Sequence, residues 1–382
     1  MSFSSPADQT RVKEKVHYPA LDGVRGLAII GVLLYHSCPD LSDHWRSLGI
    51  FLNRLASFGP FGVDLFFVLS GFLITGILLD TRGNKHYFKN FYARRVLRLF
   101  PVYYLYLALM MTVIPLLHRI LHTSIAEYSG NWWWYLTYFC NWKSNFSWGD
   151  PGLGHIWSLA VEEQFYLIWP VVVLIAGRRY LAWVCAILIV QAIVLRCVWS
   201  AEGAPWNQIY RLTITRWDTM AMGALAALAL RSDYFRPRVT RLAWPLMLGG
   251  VASFLSIAVM AGGAEWSRPP IQSYGASFAS LGFVGLVLYG ATRNSGLLYK
   301  WLCNGWLRSL GKYSYFIYVV HLLAISHVYY LGGFVAARVP QFAWLVKVGQ
   351  FTSVNIGVYF LATLSWRYIE APLLALKRRF DD

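Results

Sequence analysis

The chain has 382 residues, 57% of them apolar and only 14% charged, with 18 tryptophans and a formal net charge of +16. A soluble domain carries about 25% charged residues, so a water-soluble globule is excluded and a polytopic membrane protein is indicated. The basic excess does not point to nucleic acid, because the lysines and arginines fall between apolar runs and form no continuous basic domain.

Residues 1–20 are polar and basic, and no small-x-small cleavage site follows the next apolar run, so they read as a cytoplasmic tail and not a cleaved leader. Ten spans are predicted from apolar runs. The first, 21–38 (L-D-G-V-R-G-L-A-I-I-G-V-L-L-Y-H-S-C), holds Arg25 and His36 eleven residues apart. At ~1.5 Å per residue they lie ~16 Å apart along the axis, about half the hydrocarbon thickness. Ionisable groups inside a membrane helix are costly and by default mark a functional site. The second span, 60–79, contains Asp64 and Ser70 and the glycines Gly62, Gly71 and Gly76, which permit close helix approach. Arg94, Arg95 and Arg98 form R-R-x-x-R just before the third span, 99–117. Their fork-shaped guanidinium groups suit phosphate, and equally suit topogenic charge or lipid headgroups.

The stretch 131–139 (N-W-W-W-Y-L-T-Y-F) is too short to cross, and is expected in the interface or re-entering partway. The fourth span, 157–176, carries Glu162 and Glu163, and the fifth is 180–199. The sixth, 217–231, is short and begins with Asp218; the seventh and eighth are 242–262 and 273–291. The ninth, 310–331, has His321 near its middle, isolated from other predicted charges, and the tenth is 345–366. With the N-terminus inside, 24 of the 34 lysines and arginines fall on the cytoplasmic side, which supports both termini in the cytoplasm. The predicted fold class is therefore all-α: a polytopic membrane helix bundle of about ten helices. Its predicted organisation is a cytoplasmic tail at 1–20, a transmembrane domain at 21–366 and a second cytoplasmic tail at 367–382.

This topology puts His36, Asp64, Glu162 with Glu163, and Asp218 at a similar outer level. A carboxylate beside a histidine fixes its tautomer and raises its basicity, the arrangement needed to take a proton from a hydroxyl nucleophile. Glu162 and Glu163 are ~100° apart around a helix and cannot both face one point. Glu162, which shares a face with Ser158 and Tyr166, is preferred. Blander readings stand beside these: an interfacial His36 bonded to water or backbone, Asp64 bonding backbone, Asp218 paired with Arg216 or Arg211, and His321 satisfied in the core. The five cysteines are scattered singly and expected as free thiols, with a Cys38–Cys140 disulfide the alternative. His118 and His122 have i, i+4 spacing but lie beyond the spans, and no metal site is expected. No G-x-S-x-G elbow or lysine-bearing phosphate loop occurs.

Taken in order, several motifs resemble the membrane acyltransferase family 3, the O-acyltransferases of bacterial surface polysaccharides. They are A-L-D-G-V-R-G-L-A-I with Arg25 and His36, G-V-D-L-F-F-V-L-S-G-F-L-I around Asp64 and Ser70, R-R-x-x-R at 94–98, and W-S-L-A-V-E-E-Q-F-Y-L-I-W-P at 157–170. Weaker echoes are R-W-D at 216–218, Y-S-Y-F-I-Y-V-V-H ending at His321, and Y-I-E-A-P. The resemblance implies a ten-helix core and a cytoplasmic acyl-CoA donor, most often acetyl-CoA, held by the arginine cluster. It also implies a catalytic histidine in the first span and an acceptor outside, usually a sugar hydroxyl. Some relatives carry a fused extracytoplasmic hydrolase-like domain; this chain looks like the stand-alone form.

The combined expectation is an O-acyltransferase of the bacterial inner membrane, moving an acyl group from acyl-CoA to a saccharide or glycan precursor. His36, Glu162, Asp64 and Arg25 are its catalytic candidates. Arg94, Arg95, Arg98 and Ser70 are its donor-binding candidates, with Glu163, Asp218 and His321 supporting. Direct transfer and a transient acyl-histidine are both open. The rival expectations are a transporter of a polar solute using the histidine and carboxylates as a proton relay, and a scaffold or sensor of the cell envelope.

Overall fold

The computed structural model describes residues 17–120, 132–143 and 152–380, and every regular element among them is a helix. The first tail is thus described only from His17, and His122 lies outside the described residues. Helix α1 (Pro19–Ser37) begins with proline, whose missing N–H costs nothing in a first turn. Its 19 residues span ~28 Å. A short amphipathic α2 (Arg46–Ala56) leads into α3 (Phe61–Asp80). The apolar residues of α3 run around its whole circumference, so it is a core helix. Helix α4 (Tyr87–Ala108) continues through a π-turn into α5 (Ile114–Ile120).

The aromatic stretch near 135 forms only one helical turn, α6 (Trp133–Leu136). It dips inward, burying Tyr135, Cys140 and Asn141. Helix α7 (Trp157–Ala201) is 45 residues long and holds the fourth and fifth predicted spans, which meet at Gly177. There φ is +59°, a left-handed value that glycine adopts without penalty. The Arg82 guanidinium fills the space where a side chain would stand and donates to the Leu174 carbonyl, 3.1 Å. Helices α8 (Trp206–Arg211), α9 (Trp217–Leu230), α10 (Arg236–Met260), α11 (Ala276–Thr292) and α12 (Leu297–Leu302) follow. The chain then forms α13 (Gly305–Arg338), α14 (Ala343–Ser365) and α15 (Ala371–Ala375).

Among the described residues eight helices are long and apolar enough to cross a membrane. Dividing α7 at Gly177 and adding the 14-residue α9 places apolar helix on all ten predicted runs. The central layer is α1, α3, α7, α9 and α13, with α10 paired on α11 and α14 on α13. Glycines set the closest crossings. A Cβ on Gly71 would lie 1.9 Å from the Met220 carbonyl of α9, and one on Gly311 1.8 Å from the Asp22 carbonyl of α1. Gly62 likewise meets the Ala28 carbonyl, at 2.4 Å. All five cysteines carry free thiols, as expected from their spacing.

Candidate active site

Helices α1, α3, α4, α7 and α13 surround a hollow with about 690 Å³ of atom-free space, part of it open to solvent. The helix directions order its lining. Arg25 of α1 with Arg95 and Arg98 of α4 form one end, called here the arginine end. Ser70 of α3 with Glu162 and Tyr166 of α7 stand in the middle, and Ser158 with Tyr318 line the other end. Among the described residues no hydrogen bond or ion pair engages the guanidinium groups of Arg25, Arg95 or Arg98. Arg95 is held only over aromatic faces, 5.2 Å from the Tyr166 ring and 5.8 Å from Phe91. Three such cations around one hollow have the charge and geometry to hold phosphate or another polyanion.

The middle of the hollow is a relay of hydroxyls. Tyr166 donates to Ser70 Oγ (2.9 Å), and Ser70 donates to Glu162 Oε1 (2.7 Å). The preferred carboxylate of the E-E pair is thus the one that faces the hollow, whereas Glu163 is not part of its lining. One turn beyond Glu162, ~6 Å along α7, Ser158 hydrogen-bonds to Tyr318.

Behind Tyr318 lie three imidazoles. The His36 and His321 rings are 5.0 Å apart, and His321 and His155 4.8 Å. Tyr318 touches the group at 5.3 Å from His155 and 5.6 Å from His321. His321, expected to be isolated, is therefore at the centre of a histidine cluster. His155 was not among the expected site residues; it falls in the loop just before a predicted span, and its only signal is its place one turn ahead of Ser158. His36 Nδ1 lies 2.9 Å from the Val32 carbonyl, which only accepts. The proton is therefore on Nδ1 and the lone pair on Nε2. His321 Nδ1 binds the Tyr318 carbonyl (2.6 Å) and His155 Nε2 the Val319 carbonyl (3.0 Å). The remaining nitrogens, His321 Nε2 and His155 Nδ1, are buried without hydrogen-bond partners among the described residues.

Three expected site residues are engaged elsewhere. Asp64 does not bond to His36; its Oδ1 accepts from Arg216 Nη2 at 2.8 Å, both side chains fully buried. Arg216 is boxed by aromatic rings, with its guanidinium 4.4 Å from the Trp266 centroid and 5.0 Å from Tyr210. Asp218 pairs with Arg196, also at 2.8 Å, and with Ser277. Arg196 escaped notice, although an arginine inside an apolar span is itself a signal. Arg94 is not in the lining: its Nη2 donates to the Phe380 carbonyl and anchors the C-terminal turn on α4. Glu162 and Asp64 both lack a bond to the His36 ring among the described residues, so in this state backbone, not carboxylate, orients that imidazole.

No group of three or more His, Cys, Asp or Glu arranged to hold a metal occurs among the described residues. No solved structure matches the chain. O-acetyltransferase OatA of Staphylococcus aureus strain NCTC 8325 / PS 47 is 29% identical over 377 residues, covering 94% of this chain and 57% of that protein. A protein of strain COL named "Putative O-acetyltransferase SACOL0978" is 30% identical over 392 residues, covering 95% of this chain and 58% of its own length. The chain thus spans less than two thirds of these relatives. A family model described as an acyltransferase domain matches residues 18–375, from the start of α1 to the end of α15, and the chain belongs to that acyltransferase family.

Proposed function

We propose that the protein is a multi-pass O-acyltransferase of the bacterial inner membrane. It takes an acyl group, in the first instance acetyl, from cytoplasmic acyl-CoA and places it on a hydroxyl of an extracytoplasmic saccharide or glycan precursor. The observation that carries this reading is one hollow whose guanidinium groups at one end make no hydrogen bond or ion pair among the described residues, with Tyr318, packed against the histidine cluster, at the other. The family membership and the relatives' printed name, O-acetyltransferase, support the same chemistry.

In this reading the arginine end faces the cytoplasm. Arg25, Arg95 and Arg98 hold the donor's phosphates, and its flexible arm extends past Ser70 and Glu162, whose hydroxyl and carboxylate meet the arm's amides. The ~16 Å rise from Arg25 to His36 matches an extended arm. The thioester then lies under the Ser158–Tyr318 pair, and displacing that pair brings it to His36. His36 Nε2 takes the acceptor's hydroxyl proton, and the oxygen attacks the thioester carbon. The carbon–sulfur bond breaks, and the leaving thiolate receives the proton from the imidazolium.

The test is proteoliposomes with labelled acetyl-CoA on one side only and candidate saccharides on the other. Transfer is expected in the wild type. His36→Ala abolishes it while CoA binding persists; full transfer in that variant removes His36 from the mechanism.

A further inference from the structure

A second hollow adjoins the first at the arginine end and shares Arg25, Arg98 and Tyr315 with it. This vestibule holds about 1070 Å³ of atom-free space, part of it open to solvent. It adds Arg308 and Lys312, four residues apart on α13 and so on one face. Its carboxylates already have partners. Asp22 accepts from His17 at 3.1 Å and lies 3.9 Å from Arg308, and Glu370 accepts from Ser365 at 3.1 Å. The cations are in excess, and Arg308 Nε is buried with no hydrogen-bond partner among the described residues. The wall between them is aromatic. The Lys312 ammonium lies 4.5 Å from the Trp366 ring centroid and 5.1 Å from that of Tyr313, and the two rings meet edge-on at 5.9 Å.

Cations in excess around a half-buried aromatic wall select a ligand that joins phosphate to a planar base. We propose that the vestibule is a nucleotide subsite, in which Trp366 and Tyr313 carry the base and Arg308 with Lys312 bind a phosphate monoester on its ribose. It rests on the acyl-CoA reading above, and assigns to the vestibule the adenosine 3′-phosphate end of the donor, leaving the inner hollow to the arm. Among the described residues Lys312 rests over the rings with no hydrogen bond or ion pair, so the base displaces it and the ammonium swings to the phosphate.

The experiment measures equilibrium binding of CoA and of 3′-dephospho-CoA to the purified full chain in phosphatidylcholine nanodiscs. The wild type is expected to prefer CoA by ten- to a hundredfold. Lys312→Gln, which alters a surface side chain and spares folding, and Arg308→Gln are each expected to reduce that preference to threefold or less while dephospho-CoA binds as before. Trp366→Leu weakens both ligands together. An unaltered CoA preference in both charge variants overturns the subsite. Adding phosphatidylglycerol to the discs separates nucleotide from lipid headgroup: if the anionic lipid erases the CoA preference, the vestibule is a headgroup site and the nucleotide assignment is wrong. Labelled acetyl transfer separates the two levels. Transfer from acetyl-CoA with no effect of Arg308 or Lys312 rejects the subsite alone, whereas absence of both CoA binding and transfer rejects the donor itself.

Discussion

Replacing Asp64 by alanine strands Arg216 in the middle of the bundle. Both side chains are fully buried and 2.8 Å apart, and Arg216 Nε and Nη1 already lack hydrogen-bond partners among the described residues. Removing one member of such a pair leaves a charge that neither water nor protein compensates, at a cost of about 3–5 kcal/mol, or roughly two to three and a half decades in the unfolding equilibrium. Removing both charges is different. In Asp64→Leu with Arg216→Met the desolvation penalty disappears, while the cation–π contacts with Trp266 and Tyr210, worth about 1–2 kcal/mol, are lost. The double variant is therefore expected within about 2 kcal/mol of the wild type, far above the single one. Unfolding by SDS titration in mixed micelles, followed by tryptophan fluorescence, measures all three proteins. A single variant as stable as the wild type, or a double variant no better than the single, would refute the account of Asp64 as half of a buried ion pair.

Gly71→Ala forces a methyl group to 1.9 Å from the Met220 carbonyl and should cost about 3 kcal/mol in the same titration, whereas Gly249→Ala, with nothing within 4 Å, should be neutral or stabilising by about 0.5–1 kcal/mol. In a donor-dependence assay Arg98→Ala should raise KM at least tenfold, and far more than Arg94→Ala, whose main effect is to loosen the C-terminal turn it anchors. Lys377, on that turn beyond the last span, is pulled down to about 7 by burial and by Arg98, Arg95, Arg94 and Arg25. Between pH 7 and its ordinary value the undocked turn binds more protons than the docked one, so docking strengthens as pH rises through that window and weakens on return to pH 7. Hydrogen exchange of residues 376–380, corrected for intrinsic rate, should show this. A polyanion at the arginine end favours charged Lys377, so CoA binding at pH 8 should take up protons; calorimetry in two buffers should detect it, and Lys377→Met should abolish it.

What the sequence makes legible is level, and what it hides is azimuth. Apolar runs place the helices, including both legs of α7 on either side of Gly177. Helical periodicity picks Glu162 over Glu163 as the carboxylate facing the hollow. The same reasoning puts Asp64 and Asp218 at the depth of His36 but has no means of knowing that Arg216 and Arg196, from other segments, reach them first. Arg94, Arg95 and Arg98 look equivalent as a motif, yet a helix can aim only part of the trio at one hollow, and the C-terminal carbonyl that takes Arg94 is nearly three hundred residues away. His155 is missed because span-finding discounts residues outside apolar runs, although the fold tucks that loop under His321.

The inner hollow is lined, away from its arginines, by a hydrogen-bonded serine and tyrosine. An aqueous tube joining the two faces of an energised membrane would short-circuit its ion gradients with every cycle. Under the proposed transfer, a partition of two hydroxyl side chains would remove that hazard by giving way to a tethered group while interrupting a file of water. Under the proposed function, export of a small chemical group and an intact membrane potential would then be compatible in a single chain.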